Sequence, residues 1–505
     1  MAQGFHHATK HSFESVRQRG HSLRWDNKPN PFKVIAGSER LELRRSFPAT
    51  GVPVLEAVRG GTAPSSSKSL DLLALSRLLL VGAGVRRRVA YADGEEFFFR
   101  TYASAGALYP VEIYVVCSTV NGLKAGVYHF DPSGAALERV REGDHRQHVV
   151  RATGAEQAVA EAPVTMVLTG IPWRTAWKYT ERGYRHLFWD AGMILANLLA
   201  LIWAAALPAK LILGFVDDEV QALLGLDRAR EFPLCLLTVG SSSSVEPASS
   251  PPQSVTYPFP PLSRREMDYP AIGEVNDAGR LATPEAAREW RALTWLAADV
   301  ESVEGPAAES FTSAPAPPPP DSIEHVIRRR GSARGFARGS IPLAVLTSVL
   351  EAATGGIPTD LSPRRLTDVY LVANAVDGLE AGAYVYGSGS FRLLQRGDFR
   401  RQAAYLCLEQ RLAGDAAVTL FLLADLAATL ETRGDRGYRV AQLEAGIAAG
   451  KIYLGAYGYG YGATGLTFYD DEVTSFFSPH AAGKSCMLVV AVGESIGRSD
   501  LRPTR

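Results

Sequence analysis

The chain has 505 residues, with 53 basic and 53 acidic side chains, 46% hydrophobic residues and 21% charged. At about 150 residues per domain this suggests about three domains of ordinary globular composition, and the charge balance excludes a polycation that coats nucleic acid or binds membrane by charge alone. Four widely spaced cysteines (Cys117, Cys235, Cys407, Cys486), with no CxxC pair, fit neither a zinc ribbon nor a disulfide framework and point to a reducing, cytoplasmic compartment.

The first 45 residues contain no signal-peptide core and no recognisable counterpart later in the chain, which marks residues 1–45 as an N-terminal arm. His6, His7, His11 and His21 within it lack acidic or thiolate companions, so a disordered or arm-packing role is expected of them and no metal site. In a first domain, 46–245, apolar spacing predicts a helix over 70–81, and a β-branched, aromatic run predicts a strand over 111–117. Residues 191–209 carry no charge and nearly reach the ~20 residues of a membrane span. They are bracketed by Asp190 and Lys210, interrupted by Asn197 and ended at Pro208, which predicts a buried helix and no membrane. Residues 246–320 are rich in Ser and Pro, finishing in APAPPPP, and read as a linker with one helix over 283–302. A second domain, 321–505, repeats the mixture, with a helix expected over 341–353 and a strand over 369–372.

The two domains are copies. Tyr114, Gly122, Leu123, Gly126 and Tyr128 match Tyr370, Gly378, Leu379, Gly382 and Tyr384. RGYRHLFWDAG (182–192) matches RGYRVAQLEAG (436–446), FVDDEV (215–220) matches FYDDEV (468–473), and each copy closes on an apolar run ending in Val-Gly. Four ordered blocks make this an internal duplication. The partner of the apolar segment, 445–463, holds Lys451 and six glycines, which does not suit lipid. Two long central helices packed on each other, as in a homodimer fused into one chain, are expected.

Three segments carry chemistry. Arg330, Ser332 and Arg334 lie two apart ahead of a predicted helix and can surround a phosphate with guanidinium forks and a hydroxyl; a solvated basic turn has the same pattern. Ser104, Ala105, Gly106, Ala107 and Leu108, ahead of a strand, let backbone approach a flat ligand and offer amide donors, as would a plain tight turn. Lys178 beside Tyr179, with Arg174, Arg182 and Arg185 nearby, is either a base whose pKa is lowered by cationic neighbours or a surface dipeptide.

Together these segments resemble one family. SAGALYP (104–110), Trp177-Lys178-Tyr179 followed by Arg182 and Tyr184-Arg185, GFVDDEVQALLGLD (214–227), and the N-terminal HHATKHSFESV and WDNKPNPFKV are similar to the SagB/ThcOx-type dehydrogenases, a branch of the FMN-dependent nitroreductase superfamily. The resemblance covers most of the chain. It implies an α+β fold of two tandem nitroreductase-like halves, each an antiparallel-type mixed sheet flanked by helices, closed as an intramolecular pseudo-dimer. It also implies FMN and the oxidation of a thiazoline or oxazoline in a modified peptide, or of a small heterocyclic substrate, to the azole. Lys178 and Tyr179 would manage the proton, and other biosynthetic enzymes would be partners.

In that superfamily the flavin lies between subunits. One subunit supplies an Arg-x-Ser-x-Arg phosphate clamp and a base near its C-terminus, and the other supplies the small-residue loop and the substrate side. By resemblance the clamp is Arg330, Ser332 and Arg334 with Arg498, all in the second half, where the first half has Arg59-Gly60-Gly61-Thr62-Ala63 and Ser241 to Ser244. The loop from Ser104 and the Lys178-Tyr179 pair lie in the first half, where the second has Asp360 and Thr432-Arg433. Gly465 and Leu466 correspond to backbone that approaches flavin N5. The losses are complementary, so one FMN per chain is expected. A general NAD(P)H-dependent nitro or quinone reductase and a non-catalytic scaffold of a biosynthetic complex are the alternatives; no GxGxxG motif marks a separate nicotinamide domain.

Overall fold

A computed structural model of the chain describes residues 1–18, 20–60, 70–90, 96–295 and 309–497. The β-branched and aromatic runs form two seven-stranded sheets. The first holds β1 (Arg40–Glu42), β2 (Val111–Cys117), β3 (Gly126–Asp131), β4 (Ala136–Glu142), β5 (Val164–Gly170), β6 (Ala209–Ile212) and β7 (Phe232–Val239), in the order β1-β4-β3-β2-β5-β7-β6. The second holds β8 (Ser310–Thr312), β9 (Thr367–Ala373), β10 (Gly382–Gly387), β11 (Ser390–Arg396), β12 (Val418–Ala424), β13 (Gly462–Leu466) and β14 (Ser485–Gly493), in the order β8-β11-β10-β9-β12-β14-β13. The two orders are the same, strand for strand, and every neighbouring pair is antiparallel.

The helices include α1 (Leu72–Ala83), α2 (Pro172–Tyr179), α3 (Gly183–Ala204), α4 (Leu343–Thr354) and α5 (Arg436–Gly458). Asp71 caps α1, accepting a bond from Ala74 N, so the helix starts one residue past the cap. The central helices α3 and α5, of 22 and 23 residues, pack on each other. Gly192 and Gly446 are equivalent positions of the repeat, and they meet: a Cβ on Gly192 would lie 2.4 Å from the Gly446 carbonyl carbon. A mid-helix glycine costs roughly 0.5–1 kcal/mol, and here it permits backbone contact where the two halves cross. The stretch from 172 to 204 is long and apolar enough to cross a membrane, but 83% of its apolar window is buried inside the protein.

The N-terminal arm does have a counterpart, contrary to expectation, and it is the linker. Helix Ala2–Ala8 and helix Pro270–Ala278 sit equivalently. Arg185 donates to His6 O (2.7 Å) and Arg182 to Thr9 O (2.8 Å); Arg439 donates to Asn276 O and Arg436 to Gly279 O (2.9 Å). His11 N bonds Asp470 as Leu281 N bonds Asp217, and Lys10 pairs with Asp471 as Arg280 pairs with Asp218. The strands β1 and β8 then close the outer edges of their sheets. Most of these contacts fall on backbone carbonyls and amides, which any side chain supplies, so the kinship left no side-chain pattern to read. Among its described residues the linker also holds two helices, Pro270–Ala278 and Pro284–Ala292, and not one. Pro284 and the Thr283 cap, accepting from Ala286 N, start the second; residues 296–302 of the expected helix lie outside the described residues.

Candidate active site

A cavity of ≈ 360 Å³ opens between the halves, over the first turns of α3 on one side and β13 on the other. The sequence-predicted residues Lys178, Tyr179, Ser104, Ala105, Gly106, Ala107, Arg330, Ser332, Arg334, Gly465 and Leu466 all line it. Leu108 does not: its side chain is buried with Ile171, Trp173 and Trp177, supporting the loop from behind. Arg498 lies outside the described residues.

The small-residue loop is tightly wound. Gly106, Ala107 and Tyr109 have φ of 63°, 53° and 49°, and left-handed backbone at non-glycine residues is strained and persists only where surroundings enforce it. The enforcement comes from Ser104 Oγ, which accepts from Tyr109 N (2.9 Å), and from Asp190 on α3, which accepts from Ala105 N (3.3 Å). A Cβ on Gly106 would lie 3.2 Å from the Tyr179 hydroxyl.

Lys178 and Tyr179 end α2 at the cavity wall. Burial, reinforced by Arg334, holds the Lys178 ammonium below its ordinary pKa. Burial and the neighbouring Asp190 push the Tyr179 phenol up, and its ring stacks on His186 at 4.1 Å. Sequence reasoning missed His186 and Asp190, which are i and i+4 on α3 and both line the cavity. Both His186 nitrogens and Asp190 Oδ2 are buried without a hydrogen-bond partner. Burial drives the His186 pKa well down and raises the Asp190 carboxyl to about 7. In the repeat these two positions are Val440 and Glu444.

The clamp segment lies beside β13, with Ala333 N donating to Ala463 O (2.9 Å). Arg330 is buried and donates to Thr101 O, Arg100 O and Gly331 O, which ties the clamp to the first half and leaves two of its five N–H groups free of these bonds. Ser332 is half-buried and Arg334 exposed. Arg86, from the first half's hairpin (Val85–Ala90 with Glu96–Arg100), also reaches the cavity and donates to Arg330 O (2.6 Å); it sits within Arg86-Arg87-Arg88, a run with no motif spacing. On β13, Gly465 N donates to the Tyr453 hydroxyl (2.5 Å).

The equivalent place across the pseudo-twofold is built differently. Leu211 on β6 stands where Gly465 stands on β13, and its N–H is taken by Pro358 O (2.7 Å). Asp360 caps the same strand end through Leu213 N and Gly214 N. Arg59 pairs with Glu351.

A family model described as Nitroreductase family matches residues 66–241 and 327–494. The chain belongs to the nitroreductase family, a family of oxidoreductases, and carries its domain twice. Protein MJ1384 of Methanocaldococcus jannaschii, named as a nitroreductase, is 29% identical over 174 residues, 34% of this chain and 82% of that one. The Microcin B17-processing protein McbC of Escherichia coli is 27% identical over 146 residues, 28% of this chain and 54% of McbC, so the match spans about half of McbC. The crystal structure of a nitroreductase-family protein from Anabaena variabilis superposes with TM-score 0.76 at 23% identity, over 98% of this chain and 99% of that one, and shares the whole tandem fold.

Proposed function

We propose that the chain binds one FMN in the cavity between the halves and dehydrogenates an azoline, or a related dihydro-heterocycle, carried on a peptide. The observation that supports this reading most is the convergence in one cavity of clamp, loop and Lys178-Tyr179 from distant parts of the chain, while the equivalent place has lost each of them. The relative named for processing microcin B17 supports a peptide-borne substrate.

The residues present suit a flavin. Ser332 and Arg334, with the remaining N–H groups of Arg330 and with Arg86, supply donors for a phosphate. Arg498 is proposed as a further cation near the phosphate. The glycine at 106 keeps the loop close to Tyr179, so a flat ring meets backbone there and no side chain. Gly465 and Leu466 offer backbone on the opposite wall, and the unpartnered Asp190 Oδ2 and His186 nitrogens line the same space. Bound FMN supplies the two-electron redox step.

The chain's own residues handle position and proton. Lys178, whose ammonium burial and Arg334 hold below its ordinary pKa, takes the ring proton at Nζ. Tyr179 is a poor acid because burial raises it, so it stays a neutral hydroxyl and donates a hydrogen bond. The wall formed by Trp189, Met193 and Leu466 excludes water and orients the heterocycle.

The test is a thiazoline-bearing peptide incubated with FMN-loaded protein, read by mass spectrometry for loss of two hydrogens. Conversion dependent on Lys178 supports the reading. Rapid flavin bleaching by NADPH without azoline conversion would assign the chain to the nitro or quinone reductases instead. Purified protein with no flavin absorbance even after FMN addition would leave only the scaffold.

A further inference from the structure

Helix α2 separates the active cavity from a groove of ≈ 820 Å³. The groove floor is apolar, with Ile171, Trp173, Phe232 and Ile272 buried beneath it, and Met267 stands 49% exposed at its edge. The linker shapes it: Trp173 Nε1 donates to the Ser263 hydroxyl (2.9 Å), and Arg230 holds both oxygens of Glu266 at 2.8 Å.

Among the described residues the basic side chains lining the groove are Arg228 and Arg230, and both are matched, Arg230 by Glu266 and Arg228 by Asp277 (3.1 Å). Asp227, Asp268 and Glu274 are not. All three are exposed and line the groove, and among the described residues none of them has an ion pair. An apolar floor under uncompensated carboxylates suits a ligand whose apolar anchor is flanked by cations, because the floor supplies burial while the rim selects the charge.

The groove also leads to the chemistry. Ala176 on α2 lines it, and Lys178 and Tyr179 at the end of the same helix line the active cavity. Tyr269, on the groove rim, packs in one apolar cluster with Tyr179, and Glu181 is near enough to act on its phenol by charge. The eight residues of α2 span about 12 Å, which about four residues of extended peptide cover.

We propose that this groove docks the substrate peptide, through a basic segment with an apolar anchor placed about four residues from the azoline. The proposal rests on the peptide-borne substrate of the preceding reading. An acidic flank would be repelled by Asp268 and Glu274, and a free heterocycle would not reach the groove.

Fluorescence anisotropy on the full chain as purified, with a labelled Lys-Leu-Lys-Phe-Lys peptide, tests docking without any azoline. Binding should saturate, and should weaken about tenfold or more when the three lysines are replaced by glutamates or when the protein carries Asp268→Lys with Glu274→Lys. Both positions are exposed, and the circular dichroism spectrum should be retained. Thiazoline peptides with a basic flank should show a KM about tenfold lower than those with an acidic flank, at equal kcat, and the double variant should remove the difference. No binding of the lysine peptide, equal affinity for the glutamate peptide, or undiminished affinity in the double variant would overturn the proposal. Thiazoline conversion indifferent to the flank would overturn docking here and leave the preceding reading standing, whereas docking with no conversion of any thiazoline peptide would support the groove and overturn that reading.

Discussion

Arg185 and Asp470 come from opposite halves of the chain, and Nη1 of one lies 2.7 Å from Oδ1 of the other. Arg182 takes the second carboxylate oxygen at 2.8 Å. With the halves exchanged, Arg439 and Arg436 hold Asp217 at 2.8 and 2.6 Å. All six side chains are buried. Each half's R-G-Y-R segment grips the acidic helix start of the other, the self-complementary geometry of a twofold dimer kept within one chain.

Asp470→Ala leaves two buried arginines without their counter-ion, a loss of roughly 3–5 kcal/mol, read as a lower urea midpoint. Burial opposes ionisation of Asp470, but Arg182 and Arg185 outweigh it and hold the carboxyl far below its ordinary range; Asp217 is lowered likewise against burial by Arg436 and Arg439. Folded values below unfolded ones give stabilisation that is complete above about pH 4 and fades as pH falls further. The wild-type acid limb should therefore be steep, and Asp470→Ala should flatten it. A midpoint unchanged at neutral pH would show that the halves dock by other means.

Asp190 has the opposite sign. Burial lifts its carboxyl to about 7, so the folded value lies above the unfolded one, and ionisation between about pH 4 and 7 opposes folding. Asn at this position keeps an acceptor for Ala105 N without the charge. Asp190→Asn and wild type, compared free of FMN, should have equal urea midpoints near pH 4. At pH 8 the variant should be the more stable by ~4 kcal/mol, from a shift of about three units. Equal stability at pH 8 would place a further cation or donor on the carboxylate beside Ala105 N.

Lys178 is held below its ordinary value first by burial and then by Arg334. Azoline turnover should rise with pH to a plateau reached below the ordinary lysine pKa of about 10.4. Lys178→Ala should retain flavin absorbance and lose roughly 10²–10⁴-fold in kcat, and the pH limb should vanish with it. Unchanged turnover would remove Lys178 from the chemistry.

The fold was legible where side chains carried it. The blocks around Arg182 and Arg436, and around Asp217 and Asp470, kept their residues because they meet across the interface, and they exposed the duplication. The strand Val111–Cys117 was legible from its run of β-branched and aromatic residues. The arm and the linker were not, because their equivalence rests on carbonyls such as His6 O and Asn276 O. In the site, spacing marked Arg330, Ser332 and Arg334 and the loop from Ser104. Arg86, His186, Asp190 and Tyr453 stayed hidden because they reach the cavity only through the crossing of α3, α5 and the hairpin. Leu108 was misplaced for the same reason, since a one-residue step along the loop turns a side chain from the cavity to the core.

The most direct measurement is the count of FMN per chain after reconstitution and desalting, from flavin absorbance against protein concentration, in wild type, Arg334→Ala and Arg59→Ala. One equivalent in wild type, little or none in Arg334→Ala and one in Arg59→Ala is the predicted result. Two equivalents in wild type, or loss of flavin on changing Arg59, would contradict a single site built from complementary halves.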